Sequence, residues 1–94
     1  MTDTKAVNAL ISGKVQGVWY RAWTVEEARK RGLAGWVRNR KDGTVEAVFA
    51  GPAEQVDDMV QACHRGPPLA RVAGVAVTPA SSPHGETFEQ RSTY

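Results

Sequence analysis

The segment Gly13-Lys14-Val15-Gln16-Gly17-Val18-Trp19-Tyr20-Arg21 has the residue types and spacing from which anion chemistry can be built. A turn that leaves a strand and enters a helix can aim several backbone N–H groups at one point. The first helical turn adds unpaired N–H groups and the positive end of the helix dipole. Gly17 accepts a bend that residues with a Cβ resist. Arg21, at the expected helix start, can meet a phosphate with two parallel charge-assisted hydrogen bonds, which lysine cannot do. Such turns are common, however, and a solvated first-turn arginine fits the same pattern equally well. Asn39 is the second candidate. It closes an expected strand just before a hairpin, where its amide can both donate to and accept from a water molecule. By position alone, a turn asparagine bonding its own backbone is the stronger reading.

What the segment lacks narrows the chemistry. No Ser, Thr, Cys, Asp or His lies between Lys14 and Arg21, so the cradle contains no covalent nucleophile. The Gly-x₄-Gly-Lys-Ser/Thr spacing of an ATP-type phosphate loop is absent. Leu69 stands where a Cys-x₅-Arg cysteine phosphatase would need its arginine, and Cys63 falls in an apolar helical stripe as a buried structural thiol. Any phosphoryl group transferred here must be attacked by water. His64 and His84 lie far apart without Cys or carboxylate partners at metal-ligand spacing, and read as ordinary exposed histidines.

The elements that must position these groups follow from periodicity. Residues 5–13 alternate Val7, Ala9 and Ile11 against Asn8 and Ser12, predicting a strand with one buried face. Residues 21–31 place Ala22, Val25 and Ala28 on one helical face, with Lys30 and Arg31 in the last turn and Gly32 beyond it. Strands are expected at 33–39 and 44–50, joined by a tight hairpin at Asp42-Gly43. Gly51-Pro52 opens a second helix, with the proline at its first position. Its stripe is Val56, Met59, Val60 and Cys63, and Gly66-Pro67-Pro68 stops it. A fourth strand over 71–78, a polar loop over 79–85 and a short edge strand over 87–93 complete the chain. The order β-α-β-β-α-β is that of a ferredoxin-like α/β (α+β) sandwich, an antiparallel sheet with both helices on one face.

Ninety-four residues suit one domain spanning 1–94, and a single cysteine offers no internal disulfide. No apolar run resembles a signal peptide or a membrane span, so a soluble cytoplasmic protein is expected by default. The net charge of +2 suits an anionic ligand without making a nucleic-acid binder. The basic groups Arg29-Lys30-Arg31 and Arg38-Arg40-Lys41 read as solvated surface, with attraction of an anionic substrate as the alternative. Of the tryptophans, Trp36 is expected against the sheet and Trp23 on the first helix. Trp19 lies within the cradle, where packing is the default role and bordering a ligand the sharper one.

The two sites together resemble a known family. Gly13-x-Val15-Gln16-Gly17-Val18-x-Tyr20-Arg21 is similar to the first signature of acylphosphatases. Gly35-Trp36-Val37-Arg38-Asn39-x₃-Gly43-x-Val45-x₅-Gly51 is similar to their second, with every fixed position filled. The resemblance runs over nearly the whole chain. It implies hydrolysis of the carboxyl–phosphate bond of a small acyl phosphate, with inorganic phosphate as product and inhibitor. By the same resemblance, Arg21 and the amides of Val15, Gln16, Gly17, Val18, Trp19 and Tyr20 hold the phosphate, and Asn39 orients the attacking water. No metal, cofactor, nucleic acid or membrane partner is expected, and a monomer is preferred. Tyr20 stands where Phe or Met is usual, adding a hydroxyl that needs a partner. Gln90 stands where an apolar residue is usual, which bears on how the tail packs.

Two other readings compete. RNA-recognition modules share the element order, but they stack bases on aromatics of the third strand. Here the nearest match, Arg31-Gly32-Leu33-Ala34-Gly35-Trp36, falls before the second strand, and the third offers only Phe49 on its expected buried face. The other reading is a non-catalytic module that holds an acyl or carbamoyl phosphate for a partner enzyme.

Overall fold

The computed structural model describes residues 3–83 and 85–93. Its elements are β1 (Thr4–Lys14), α1 (Tyr20–Lys30), β2 (Ala34–Asn39), β3 (Val45–Pro52), α2 (Ala53–Arg65), β4 (Arg71–Pro79) and β5 (Phe88–Gln90). They build one five-stranded sheet in the order β4-β1-β3-β2-β5. The expected alternation is realised: Val7, Ala9 and Ile11 are buried, and in register beside them lie Val45, Ala47 and Phe49. Both helices cover this face, joining Ala28, Val56, Met59 and Cys63 to the same core. The architecture is the ferredoxin-like α+β sandwich.

The sheet is mixed, not wholly antiparallel as expected. β1, β3, β4 and the β2–β3 hairpin pair antiparallel, whereas β5 runs parallel to β2. Direction follows from the path. The chain reverses after β4 and crosses to the opposite edge, and β2 already runs opposite to β4. The edge strand is also shorter than the range 87–93, spanning three residues. Phe88 closes the core there, stacking on Phe49 at 5.5 Å between ring centroids. Gly35 makes room for that pair: a Cβ on it would lie 3.2 Å from Phe88 Cε2 and collide with the Val48 backbone.

The buried face of α1 differs from the expected one. It consists of Tyr20, Thr24 and Ala28, while Val25 is half-buried and Ala22 is exposed. Thr24 can occupy this stripe because its hydroxyl donates to the Tyr20 carbonyl at 2.8 Å, satisfying its polar group within the helix. The end of α1 is as expected. Gly32 has φ 67, its N–H donates to Arg29 O and the Leu33 N–H to Ala28 O, the paired bonds of a Schellman motif. In α2 the buried residues are Val56, Met59, Ala62 and Cys63, with Val60 packed at the core margin. Pro52 is not the first helical residue but the N-cap, because β3 continues through it.

The β2–β3 connection is a three-residue loop. Arg40 and Thr44 face each other, with Arg40 N–H donating to Thr44 O at 2.9 Å, and Gly43 at φ 93 closes the turn. Asp42 Oδ1 accepts from both the backbone N–H and the hydroxyl of Thr44. The basic groups are more than solvated surface. Arg38 and Arg40 bond the Glu46 carboxylate, and Arg31 pairs with Glu27 and Asp58. Trp36 lies on the sheet face away from the helices, with the Arg38 and Arg91 guanidinium carbons 4.7 and 5.0 Å from its ring centroid.

Candidate active site

The loop between β1 and α1 is pinned at both ends by apolar burial. Val15 and Val18 are almost wholly enclosed, as is Tyr20 at the helix start. The Tyr20 hydroxyl, which the sequence left in need of a partner, donates to the Cys63 carbonyl at 2.6 Å. Between these anchors the backbone alternates. φ is positive at Gly17 (72) and Trp19 (69), and negative at Gln16, Val18 and Tyr20. Alternation of that kind turns successive N–H groups toward the same side and forms an anion-binding concavity. Among the described residues, the N–H groups of Gln16, Gly17, Val18 and Trp19 donate no backbone hydrogen bond. The Trp19 carbonyl accepts from the Trp23 N–H at 3.0 Å, which starts α1 and leaves its first N–H groups open on the same side.

Gln16 takes a part that its side chain did not advertise. Its Nε2 donates to the carbonyls of Arg40 and Thr44, at 2.7 and 2.9 Å. These two carbonyls close the hairpin loop immediately after Asn39, so the amide straps the β1–α1 loop to the element carrying Asn39. Glutamine in a loop gives no signal of such a role without the partner strand beside it.

Arg21 and Asn39 are brought together. Both line one cavity of about 320 Å³ with Val15, Gly17, Trp19, Tyr20, Ala22 and Gln90. Arg21 is half-buried and, among the described residues, makes no ion pair, so its five N–H donors are available to the cavity. Asn39 lies on the same face of β2 as Gly35 and Val37, the helix side. Its side chain makes no turn bond among the described residues; Asp42 makes the Asx contact of the hairpin instead. Gln90, noted from sequence only as a departure, lines the cavity because β5 pairs beside β2 with Gln90 next to Val37. Sequence periodicity held no signal for that parallel pairing.

The other titratable candidates stand apart. Cys63 is buried in α2, and desolvation pushes its thiol up to about 12, so it stays protonated at neutral pH. Burial likewise raises the Tyr20 hydroxyl well above the usual phenol range, reinforced by Cys63 beside it. His64 is exposed, and His84 lies outside the described residues. Among the described residues, no three His, Cys, Asp or Glu side chains gather as a metal site requires, and no helix is long and apolar enough to cross a membrane. Phe49 is wholly enclosed, so it presents no ring on which a base could stack.

The family model for acylphosphatase matches residues 7–90. An acylphosphatase of Rhodospirillum rubrum is 59% identical over 87 residues, covering 93% of this chain and 96% of its own. The structure of an acylphosphatase from Coxiella burnetii superposes with a TM-score of 0.90 at 30% identity, over 95% of this chain and 94% of that one. The Bacillus subtilis acylphosphatase crystal structure superposes with 0.86 at 37% identity, over 95% and 99%. The chain belongs to the acylphosphatase family, and the expected activity, a hydrolase acting on acyl phosphates, stands with it.

Proposed function

We propose that this acylphosphatase-family hydrolase splits its substrate by direct in-line attack of water on phosphorus, without a phosphoenzyme and without a metal. The amides of Val15 to Tyr20 and the Arg21 guanidinium hold the phosphoryl oxygens, and Asn39 holds the water. The water oxygen forms the new P–O bond as the bond to the carboxylate oxygen breaks. The carboxylate leaves with the electron pair, and the water proton passes to the phosphate and solvent. A carboxylate is a weakly basic leaving group, so no general acid is needed; the hydroxyl of Tyr20, which lines the cavity, is engaged by the Cys63 carbonyl instead. In a loose transition state the charge spreads over the equatorial oxygens. Fixed N–H donors and one guanidinium answer that charge where it develops, and holding the water in line removes the entropic cost of finding it.

One observation carries the reading: Arg21 and Asn39 share a cavity with a loop of alternating φ whose N–H groups have no backbone acceptor among the described residues. The rest of the proposal is a cytoplasmic monomer, a single unit over 1–94, inhibited by its product phosphate and without a nucleic-acid or membrane partner. The test is hydrolysis of benzoyl phosphate in water labelled with heavy oxygen, with EDTA present. The label is expected in phosphate only, at an undiminished rate. Arg21→Ala is expected to lose about 10²–10³-fold in kcat, the effect of removing one charge-stabilising donor. Label in benzoate, or loss of activity on chelation, would overturn the mechanism.

A further inference from the structure

Trp19 is 77% exposed, an unusual position for an indole, and its backbone sits at φ 69, where bulky residues are rarely found. Neither feature is required by what its main chain does. Accepting the Trp23 N–H and opening the helix needs only a carbonyl, and glycine or asparagine adopts that conformation with less strain. Nor does the ring serve the core, which Val18 and Tyr20 on either side enter instead. Trp19 does line the cavity, together with Arg21, Ala22, Asn39 and Gln90. A phosphoryl group with its attacking water fills only part of about 320 Å³. The remaining space belongs to whatever the phosphate is attached to.

We propose that Trp19 is a specificity-determining platform for the acyl group, selecting acyl phosphates with a flat, apolar acyl part over acetyl phosphate. This rests on the hydrolase reading above. With the phosphoryl oxygens on the loop amides and Arg21, the acyl group points to the cavity mouth. A planar ring there covers the indole in an offset stack, which removes apolar surface from water on both partners. Acetyl phosphate reaches too little of the ring to gain from it.

The test compares kcat/KM for benzoyl phosphate and acetyl phosphate in wild type, Trp19→Asn and Trp19→Phe. Asparagine keeps the left-handed backbone accessible. The benzoyl-to-acetyl ratio is expected to fall about tenfold in Trp19→Asn, mainly through KM, as expected for uncovering about 50–60 Å² of apolar surface. Trp19→Phe should restore most of it. An unchanged ratio, or a wild type with no preference, overturns the platform. A mutation-free arm uses wild type alone, with phenylphosphonate expected to inhibit more tightly than methylphosphonate; equal inhibition also overturns it. Should wild type hydrolyse neither substrate, the hydrolase reading itself falls, an outcome separate from a lost preference.

Discussion

The Tyr20 hydroxyl reaches a backbone carbonyl in the last turn of α2, where helix carbonyls have no partner of their own. It therefore acts as a cap delivered from the other helix, tying the start of α1 to the end of α2. Tyr20→Phe leaves the Cys63 carbonyl buried and unpaired, and should destabilise the fold by about 1–3 kcal/mol. In a domain of this size a thermal melt should show roughly 4–8 °C lost per kcal/mol. Cys63 itself should prove dispensable for turnover: Cys63→Ser is expected to remain active, and the native enzyme to resist thiol alkylation, because the buried thiol stays protonated. A folded but inactive Cys63→Ser protein would point instead to a phosphocysteine. At this scale the sequence was legible where residue type alone limits the chemistry. Arg21, which the structure brings to the cavity beside Asn39, is such a case. It was silent where a side chain's partner lies far along the chain, as for the Gln16 amide and the Tyr20 hydroxyl.

Between elements, the contact that matters most to the site is the Gln16 strap across Arg40 and Thr44. It fixes the distance between the β1–α1 loop and the strand end that carries Asn39, the two halves of the proposed site. Gln16→Ala should lower kcat about 10–100-fold, since displacements of about 1 Å at a reacting centre cost that much. With the strap expected to act through Asn39, the same change in an Asn39→Ala background should cost far less. Additive losses in the double mutant would show that Gln16 merely stabilises its loop. Most elements were read to within a residue or two, because alternation and helical stripes survive in the sequence. The inward face of α1 was misjudged because Thr24 is polar and Ala22 is not. An internal hydrogen bond let the threonine into the core, and hydrophobicity does not record such bonds.

For the molecule as a whole, the sheet face away from the helices is held by polar bonds centred on Glu46. Burial alone would raise its carboxyl, but hydrogen bonds from Asn8 and Arg38, with Arg40 beside them, hold it below its ordinary 4.5. The folded state therefore binds this proton more weakly than the unfolded chain. The stabilisation is complete above about pH 4.5 and is lost as pH falls through the lower folded value. Urea midpoints measured from neutral to acid pH should show that decline, and Glu46→Gln should remove part of it. An undiminished acid decline in that variant would locate the titration elsewhere. The parallel docking of β5 was the feature of the whole fold least legible beforehand. Three residues carry too little pattern to name their neighbour, and Gln90 reaches the cavity only through that pairing. The docking also has an optical consequence. Arg91 follows β5 and lies over Trp36, with its N–H on the Val37 carbonyl, so peeling the strand away strips one cation from the indole and wets the ring. In a chain whose other two tryptophans are replaced by phenylalanine, the emission colour of Trp36 becomes a built-in gauge of whether that edge is closed.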